Sequence, residues 1–129
     1  MIQKTFYIKT LIDGRQYPIL NTYPQKYEML YELGMNQYSK SEGVRDAIQN
    51  LNKVISGELV SFELSTGDWC VVDVKKDTSV ITNNFDEFEP VEITTSEIIK
   101  LMNEWLQFLL TYENGQIPGI IHPDKRDLV

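Results

Sequence analysis

Two side chains in this sequence have the chemistry of catalytic or metal-binding groups and occur once each, His122 and Cys70. A catalytic imidazole needs a partner held at a fixed distance and usually a carboxylate that orients it. His122 lies between Ile121 and Pro123, in a stretch too rich in proline and glycine for regular structure. We therefore expect a structural or solvent-exposed role for it.

Cys70 belongs to the nearly continuous apolar run Trp69–Val74, and no lysine or arginine is nearer to it than Lys75. A thiol in apolar surroundings has a raised pKa and is unreactive, so we expect Cys70 in the core. One Cys and one His cannot supply the three or four ligands of a zinc site, and the glycines form no phosphate-binding loop. We predict no cofactor, no metal and no enzymatic activity.

An acidic run is the first feature that favours a function. Between Lys76 and Lys100 the sequence has six acidic residues and no basic one. The candidates for contact with a cationic partner are four acids and two interleaved aromatics, namely Asp86, Glu87, Glu89, Glu92, Phe85 and Phe88. Such charges steer an encounter, and the aromatics supply desolvated contact. The alternative is a solvated loop with two aromatic anchors.

A line of tyrosines is the second such feature. Tyr23, Tyr27 and Tyr31 are spaced at intervals of four, which places them one above another on a predicted helix. Tyrosine is common at interfaces because it buries a large area at little cost in entropy. Tyr27 and Tyr31 are therefore candidate partner contacts, although such a line can equally pack the margin of a core.

Three helices are predicted. Pro24 and Gly34 bracket a short helix over 24–33. Apolar spacing predicts an amphipathic helix over 42–56, and Ser39–Glu42 before it has the form of a capping box. Thr94 and Glu97 form a capping box for a long helix that ends near Gly115. Its apolar arc is roughly 200° wide, compared with the ~100° stripe of a surface helix, so it must be covered on two sides.

The remaining elements are strands. Apolar and polar residues alternate over 2–12, which predicts a strand with Phe6, Ile8 and Ile12 facing inward. An Asp13-Gly14 turn and a return strand follow, with Pro18 at a sheet edge. A meander of three or four strands follows, with Val60 starting the first strand and Trp69–Val74 covered on both faces. We predict an α+β fold with an antiparallel sheet of about four to six strands and the long helix packed on it. Residues 1–129 form one domain, with 124–129 a loose tail.

Composition narrows the class of partner. The net charge of −7 argues against nucleic acid or an anionic membrane and favours a basic protein. No apolar run approaches the ~20 residues of a membrane span, and no signal pattern occurs at the start. A single cysteine suits a reducing cytoplasm.

By its size, its acidity, the Phe85–Glu97 run and the helix containing Glu104–Leu110, the whole chain resembles the small acidic α+β immunity proteins that neutralise bacterial toxins. The resemblance implies a cognate toxin, often a basic nuclease, whose active site is covered by acidic residues. It assigns no role to individual positions. Two alternatives remain: a homo-oligomeric adaptor that associates through the long helix, and a small-molecule binding module with the tyrosines and Trp105 lining a cleft.

Overall fold

In the computed structural model, which describes residues 2–65, 70–83 and 89–116, strands and helices are segregated and the fold is α+β, as predicted. Strands β1 (Gln3–Thr10) and β2 (Gln16–Tyr23) form an antiparallel hairpin. An antiparallel meander contains, in order, β3 (Phe62–Ser65), β4 (Cys70–Val74), β5 (Thr78–Asn83) and β6 (Val91–Thr94). The helical elements are α1 (Ser41–Ser56), α2 (Thr95–Glu113) and two 3₁₀ segments, Gln25–Gly34 and Asn36–Ser39.

The hairpin turn contains three residues rather than the two that the Asp13-Gly14 pair suggests. Gly14 N donates to Leu11 O over 2.9 Å, and Leu11 N donates to Arg15 O over 2.8 Å. Gly14 has φ of 89°, the left-handed conformation that this type of loop needs at its last position. The prediction that Ile12 faces inward is wrong, because Ile12 lies in this loop and is fully exposed.

Pro18 lies opposite Ile8 in the hairpin. Leu11 and Arg15 form a hydrogen-bonded pair, and such pairs alternate along an antiparallel ladder. The Ile8–Pro18 pair is consequently one that makes no ladder bonds, so the missing N–H of Pro18 removes nothing from the hairpin. In this two-stranded sheet the backbone nitrogen of Pro18 points away from β1, to the side of β2 where no further strand pairs. The predicted edge position is confirmed.

The helix predicted over 24–33 is a 3₁₀ helix. With three residues per turn, positions four apart are rotated by about 120° from each other instead of being stacked. Tyr27 is therefore buried, with 4% of its surface exposed, whereas 37% of Tyr31 is exposed. The predicted line of tyrosines does not exist in the structure.

The meander has one inward face. Cys70, Val72 and Val74 are buried, whereas Asp73 is exposed, because successive side chains of a strand point to opposite faces. The prediction that this strand is covered on both faces is wrong. Val60 precedes β3 and is exposed, so it does not start the strand as predicted.

Helix α2 begins and ends as its sequence predicts. The Thr94 side chain accepts a hydrogen bond from Glu97 N over 3.2 Å, and Gly115 adopts φ of 81° just beyond the helix. Thr95 anchors the first turn to the meander, since its N donates to Asp77 O and its hydroxyl lies 2.8 Å from that of Ser79. The long helix is thereby fixed to the β4–β5 turn.

The two sheets share one hydrophobic core, and Trp105 of α2 is its largest side chain. The Trp105 ring stacks on Phe108 at 5.6 Å and meets Phe6 of β1 edge-on at 5.2 Å. Its indole N–H donates to Tyr38 O over 2.7 Å. Helix α1 and strands of both sheets contact α2, so the broad apolar arc is covered within the chain.

Helix α1 begins at Ser41, and Lys40 at its N-cap position provides no side-chain cap. The expected capping box at Ser39–Glu42 is therefore wrong. Instead the Glu113 carboxylate, at the end of α2, accepts hydrogen bonds from Ser41 N (2.8 Å) and Ser41 Oγ (2.6 Å). A carboxylate at a helix N-terminus satisfies an otherwise unpaired N–H and complements the helix dipole.

Candidate functional site

The structure describes four of the eight predicted contact residues. Phe85, Asp86, Glu87 and Phe88 lie outside the described residues. Glu89 and Glu92 are exposed, just before and on the edge strand β6. Tyr31 is exposed, but Tyr27 lies in the core, so Tyr27 is not available to a partner.

Strand register places Glu92 in a row of carboxylates. Glu63 of β3 pairs with Asp73 of β4, Asp73 pairs with Val80 of β5, and Val80 pairs with Glu92 of β6. Directly paired residues project from the same face of a sheet. Glu63, Asp73 and Glu92, here called the carboxylate row, are all exposed. With strands ~4.8 Å apart, the row extends ~14 Å across the sheet.

This arrangement opposes the stability of the sheet. The side chains of Glu63 and Asp73 stand directly opposite each other, about 5 Å apart at Cβ, and like charges in such pairs are destabilising. Within the described part of the chain the ion pairs are Lys4–Glu104 at 2.9 Å and Arg15–Asp13 at 2.6 Å. Neither involves the carboxylate row, so no described basic side chain forms an ion pair with it.

Uncharged residues of the same face lie next to the row in the strand register. In register next to it are Val71 and Thr82 on one side and Thr78 on the other. These side chains are small, and the exposed Lys75 follows the end of β4, two residues beyond Asp73. The sequence indicated Glu92 but not Glu63 or Asp73, which join the row only through register. The alternation of Glu63 with Phe62 and Leu64 was the available signal.

A groove between β2 and the 3₁₀ segments is the second candidate. Its cavity of about 450 Å³ is lined by apolar and small side chains, namely Tyr17, Pro18, Ile19, Leu20, Tyr31, Gly34, Met35 and Ser39. Tyr17, Tyr31 and Met35 are 42%, 37% and 49% exposed and are three of the six large apolar side chains that the described residues expose. Their concentration around one cavity distinguishes it from scattered surface apolar residues.

Close backbone packing forms one wall of the groove. A Cβ atom added to Gly34 would lie 3.0 Å from Leu20 Cβ and 3.2 Å from Trp105 Cζ2. Only glycine permits the 3₁₀ segment to approach β2 and α2 this closely. The wall is thus held by the core, and the groove is preformed. Trp105 lies behind it and is fully buried.

Two titratable groups near the groove have shifted pKa values. Burial, followed by the negative charges of Glu32 and Glu28, raises the pKa of Tyr31. Burial, followed by Glu32, raises the pKa of Cys70 to about 12. Both groups are neutral near pH 7. The prediction that Cys70 is a core thiol with a raised pKa is confirmed.

Self-association through α2 was suggested by its broad apolar arc, and in the structure this arc is covered within the chain. None of the exposed large apolar side chains of the described residues lies on α2; the three outside the groove are Ile12, Ile55 and Val60. Across the described ranges no helix is long and apolar enough to cross a bilayer. In the same ranges no three His, Cys, Asp or Glu side chains converge as metal ligands.

Comparisons with models of protein families, with curated proteins and with solved structures gave no match. The candidate sites therefore depend on their geometry and charge.

Proposed function

We propose that this protein is a non-enzymatic protein-binding module that contacts a basic protein through the outward face of its four-stranded sheet. The supporting observation is the carboxylate row, in which three acids from three strands project from the same face of the sheet and form no ion pair with a described basic residue. A sheet needs no charges in these positions for its own stability. A cationic partner would remove the repulsion between Glu63 and Asp73.

The row is suited to steering an encounter. Neighbouring charges within about a Debye length, ~8 Å at physiological ionic strength, act jointly on an approaching ion. Steering by such a patch raises the association rate and makes it sensitive to salt. Glu89 is exposed two residues before β6 begins and extends the acidic sequence. Asp86, Glu87, Phe85 and Phe88 remain sequence-based candidates for the same contact.

The specific form of the proposal is an immunity protein that neutralises a basic toxin, such as a nuclease, by covering its cationic active site with acidic residues. The α+β fold and the acidic outward face support it, together with the resemblance noted from the sequence. In this form the protein acts by occlusion in the cytoplasm of a bacterium and transfers no chemical group.

The test compares two triple variants that have the same net charge. Glu63→Lys, Asp73→Lys and Glu92→Lys together reverse the row, and because each replacement adds two charges they change the net charge from −7 to −1. Glu42→Lys, Asp46→Lys and Glu58→Lys make the same change at exposed positions on and after α1. Each is used, with the unmodified protein, to capture basic proteins from the native host.

We expect the row variant to lose a basic protein that both the unmodified chain and the α1 variant retain. For the purified partner, raising the salt concentration should weaken binding to the unmodified chain and change it little for the row variant. Inhibition of the partner's toxicity on co-expression tests the immunity form. Equal affinity and equal salt dependence for the two triple variants would reject the sheet face as the binding surface.

A further inference from the structure

The groove has the size and shape of a ligand site. Its volume of about 450 Å³ lies within the ~300–1,000 Å³ typical of small-molecule pockets, which are mostly apolar with a few polar groups. The polar groups of its lining side chains are three hydroxyls, from Tyr17, Tyr31 and Ser39. Because Gly34 fixes the backbone of one wall against Leu20 and Trp105, a ligand would not have to open the site.

The 3₁₀ segments and their flanks carry charges of both signs, but the charged side chains that raise the pKa of the lining Tyr31 are acidic. Lys26 lies in the first turn of the first 3₁₀ segment and Lys40 follows Ser39, whereas Glu28 and Glu32 lie between these lysines; no residue of β2 is charged. Both acids act electrostatically on Tyr31, so their negative potential reaches a lining side chain. The nearest cation in the hairpin register is Lys9, which lies opposite Tyr17 on β1, the strand farther from the 3₁₀ segment.

We propose that this groove binds a small aromatic ligand that carries a positive charge. The ring would occupy the apolar cavity, and the cation would lie near the tyrosine faces, within reach of the field of Glu28 and Glu32. A cation above an aromatic ring is attracted by the electrons of the ring. This site is separate from the carboxylate row in sequence and in chemistry, so the inference does not depend on the proposed protein partner.

The experiment uses probes that differ in charge or in the ring alone. The full ¹⁵N-labelled chain is titrated with 2-(1-naphthyl)ethylamine, with the anionic 3-(1-naphthyl)propionate and with ethylamine, and amide shifts are followed by NMR at physiological salt. We expect the naphthyl amine to shift amides of residues 17–20 and 31–39, and to bind at least about threefold more tightly than the acid, as one cation–π contact provides. Ethylamine should leave these amides unchanged.

Variants separate the ring contact from the charge. Tyr17→Ala removes an exposed lining ring and should weaken both naphthyl probes. Glu28→Gln, at an exposed position, should weaken the amine and leave the acid unchanged or tighter. Ile55→Ala alters an exposed apolar side chain on α1 and should have no effect. Amide dispersion and thermal unfolding confirm that each variant is folded.

Three results would overturn the proposal. Shifts confined to the outward face of the four-stranded sheet would place the cation at the carboxylate row. Equal binding of the amine and the acid would show that the groove does not select charge. A loss in Ile55→Ala as large as that in Tyr17→Ala would indicate binding without a defined site.

Discussion

The two sheets place similar faces in one core and expose different faces to solvent. Phe6 and Leu20 of the hairpin and Val72 and Ile81 of the meander belong to the same buried cluster. Outside, the edge of the hairpin borders a groove with two half-exposed tyrosines, whereas the meander displays three carboxylates in register. The apolar inward faces are required for folding. Folding does not require the groove on one outward face or the carboxylates on the other, and this difference indicates two kinds of contact.

The largest expected effect tests the shared inward face. Trp105→Ala should lower the free energy of unfolding by about 3–5 kcal/mol, as for other buried aromatic truncations. The variant loses the ring contacts with Phe6 and Phe108 and leaves Tyr38 O without its indole donor. Urea unfolding followed by circular dichroism measures the change.

Ile55→Ala is the control for this prediction, because Ile55 is exposed on α1 and should change stability by less than about 0.5 kcal/mol. If Trp105→Ala costs no more than Ile55→Ala, the hairpin and α2 do not form one core with the meander, and the comparison of two sheets around one core fails.

Gly34→Ala tests whether the hairpin groove is preformed. The added methyl group would lie at 3.0 Å from Leu20 Cβ and 3.2 Å from Trp105 Cζ2, and such overpacking typically costs about 1–3 kcal/mol. Met35→Ala, at the next and exposed position, is the control and should be nearly neutral. Because both variants touch the same indole, Gly34→Ala should cost less in a Trp105→Ala background. Simple additivity would contradict the tight wall.

Cys70 on the buried face and Asp73 on the exposed face of β4 allow the two faces of one strand to be compared, first through the pKa of the thiol. The pKa of Cys70 is raised from about 9 to about 12, so above pH 9 the unfolded chain loses a proton that the folded chain keeps. Stability from this group is complete below pH 9 and is lost as pH rises toward 12. Between pH 8 and 10 the loss should be about 1 kcal/mol.

The measurement is urea unfolding under reducing conditions at several pH values, with Cys70→Ala for comparison. The variant should be less stable at pH 7 but should lose less stability with rising pH. Tyr31, whose pKa is raised chiefly by burial and only last by Cys70, titrates in both proteins, so most of its contribution cancels in the difference. Parallel pH profiles would show that the thiol is not desolvated.

The sequence predicted local structure well where a signal and its consequence lie within one element. Thr94 and Gly115 bracket α2 as predicted, the period of 3.6 placed α1 within a residue of its start, and the period of two predicted the meander. The fold class followed from the order of these elements. Pattern also identified Cys70 as a core thiol.

What the sequence could not predict depends on residues far apart in the chain. The N-terminus of α1 is capped by Glu113, which is 72 residues away, so no pattern near Ser41 could reveal it. The carboxylate row exists through the pairing of four strands. Tyr31 differs from Tyr27 because the segment winds as a 3₁₀ helix, and the groove requires the close approach of Gly34 to Leu20.

The smallest expected effect has the opposite sign and tests the outward face of the meander. Asp73→Asn should raise the free energy of unfolding by roughly 0.2–1 kcal/mol, because it relieves the repulsion from Glu63 directly opposite. The gain should shrink in 1 M salt, where the Debye length falls to ~3 Å. Glu58→Gln, at an exposed position before β3 and outside the ladder, is the matched control and should be neutral.

A stabilising Asp73→Asn variant that binds the basic partner more weakly would show that the row opposes folding and favours contact. This is the behaviour expected of residues retained for binding, because natural sequences violate local stability rules chiefly at functional sites. If Asp73→Asn is neutral at low and high salt alike, the repulsion is already cancelled within the chain. The carboxylate row would then offer a partner no uncompensated charge. Of the two outward faces, only the groove would remain as a candidate contact site.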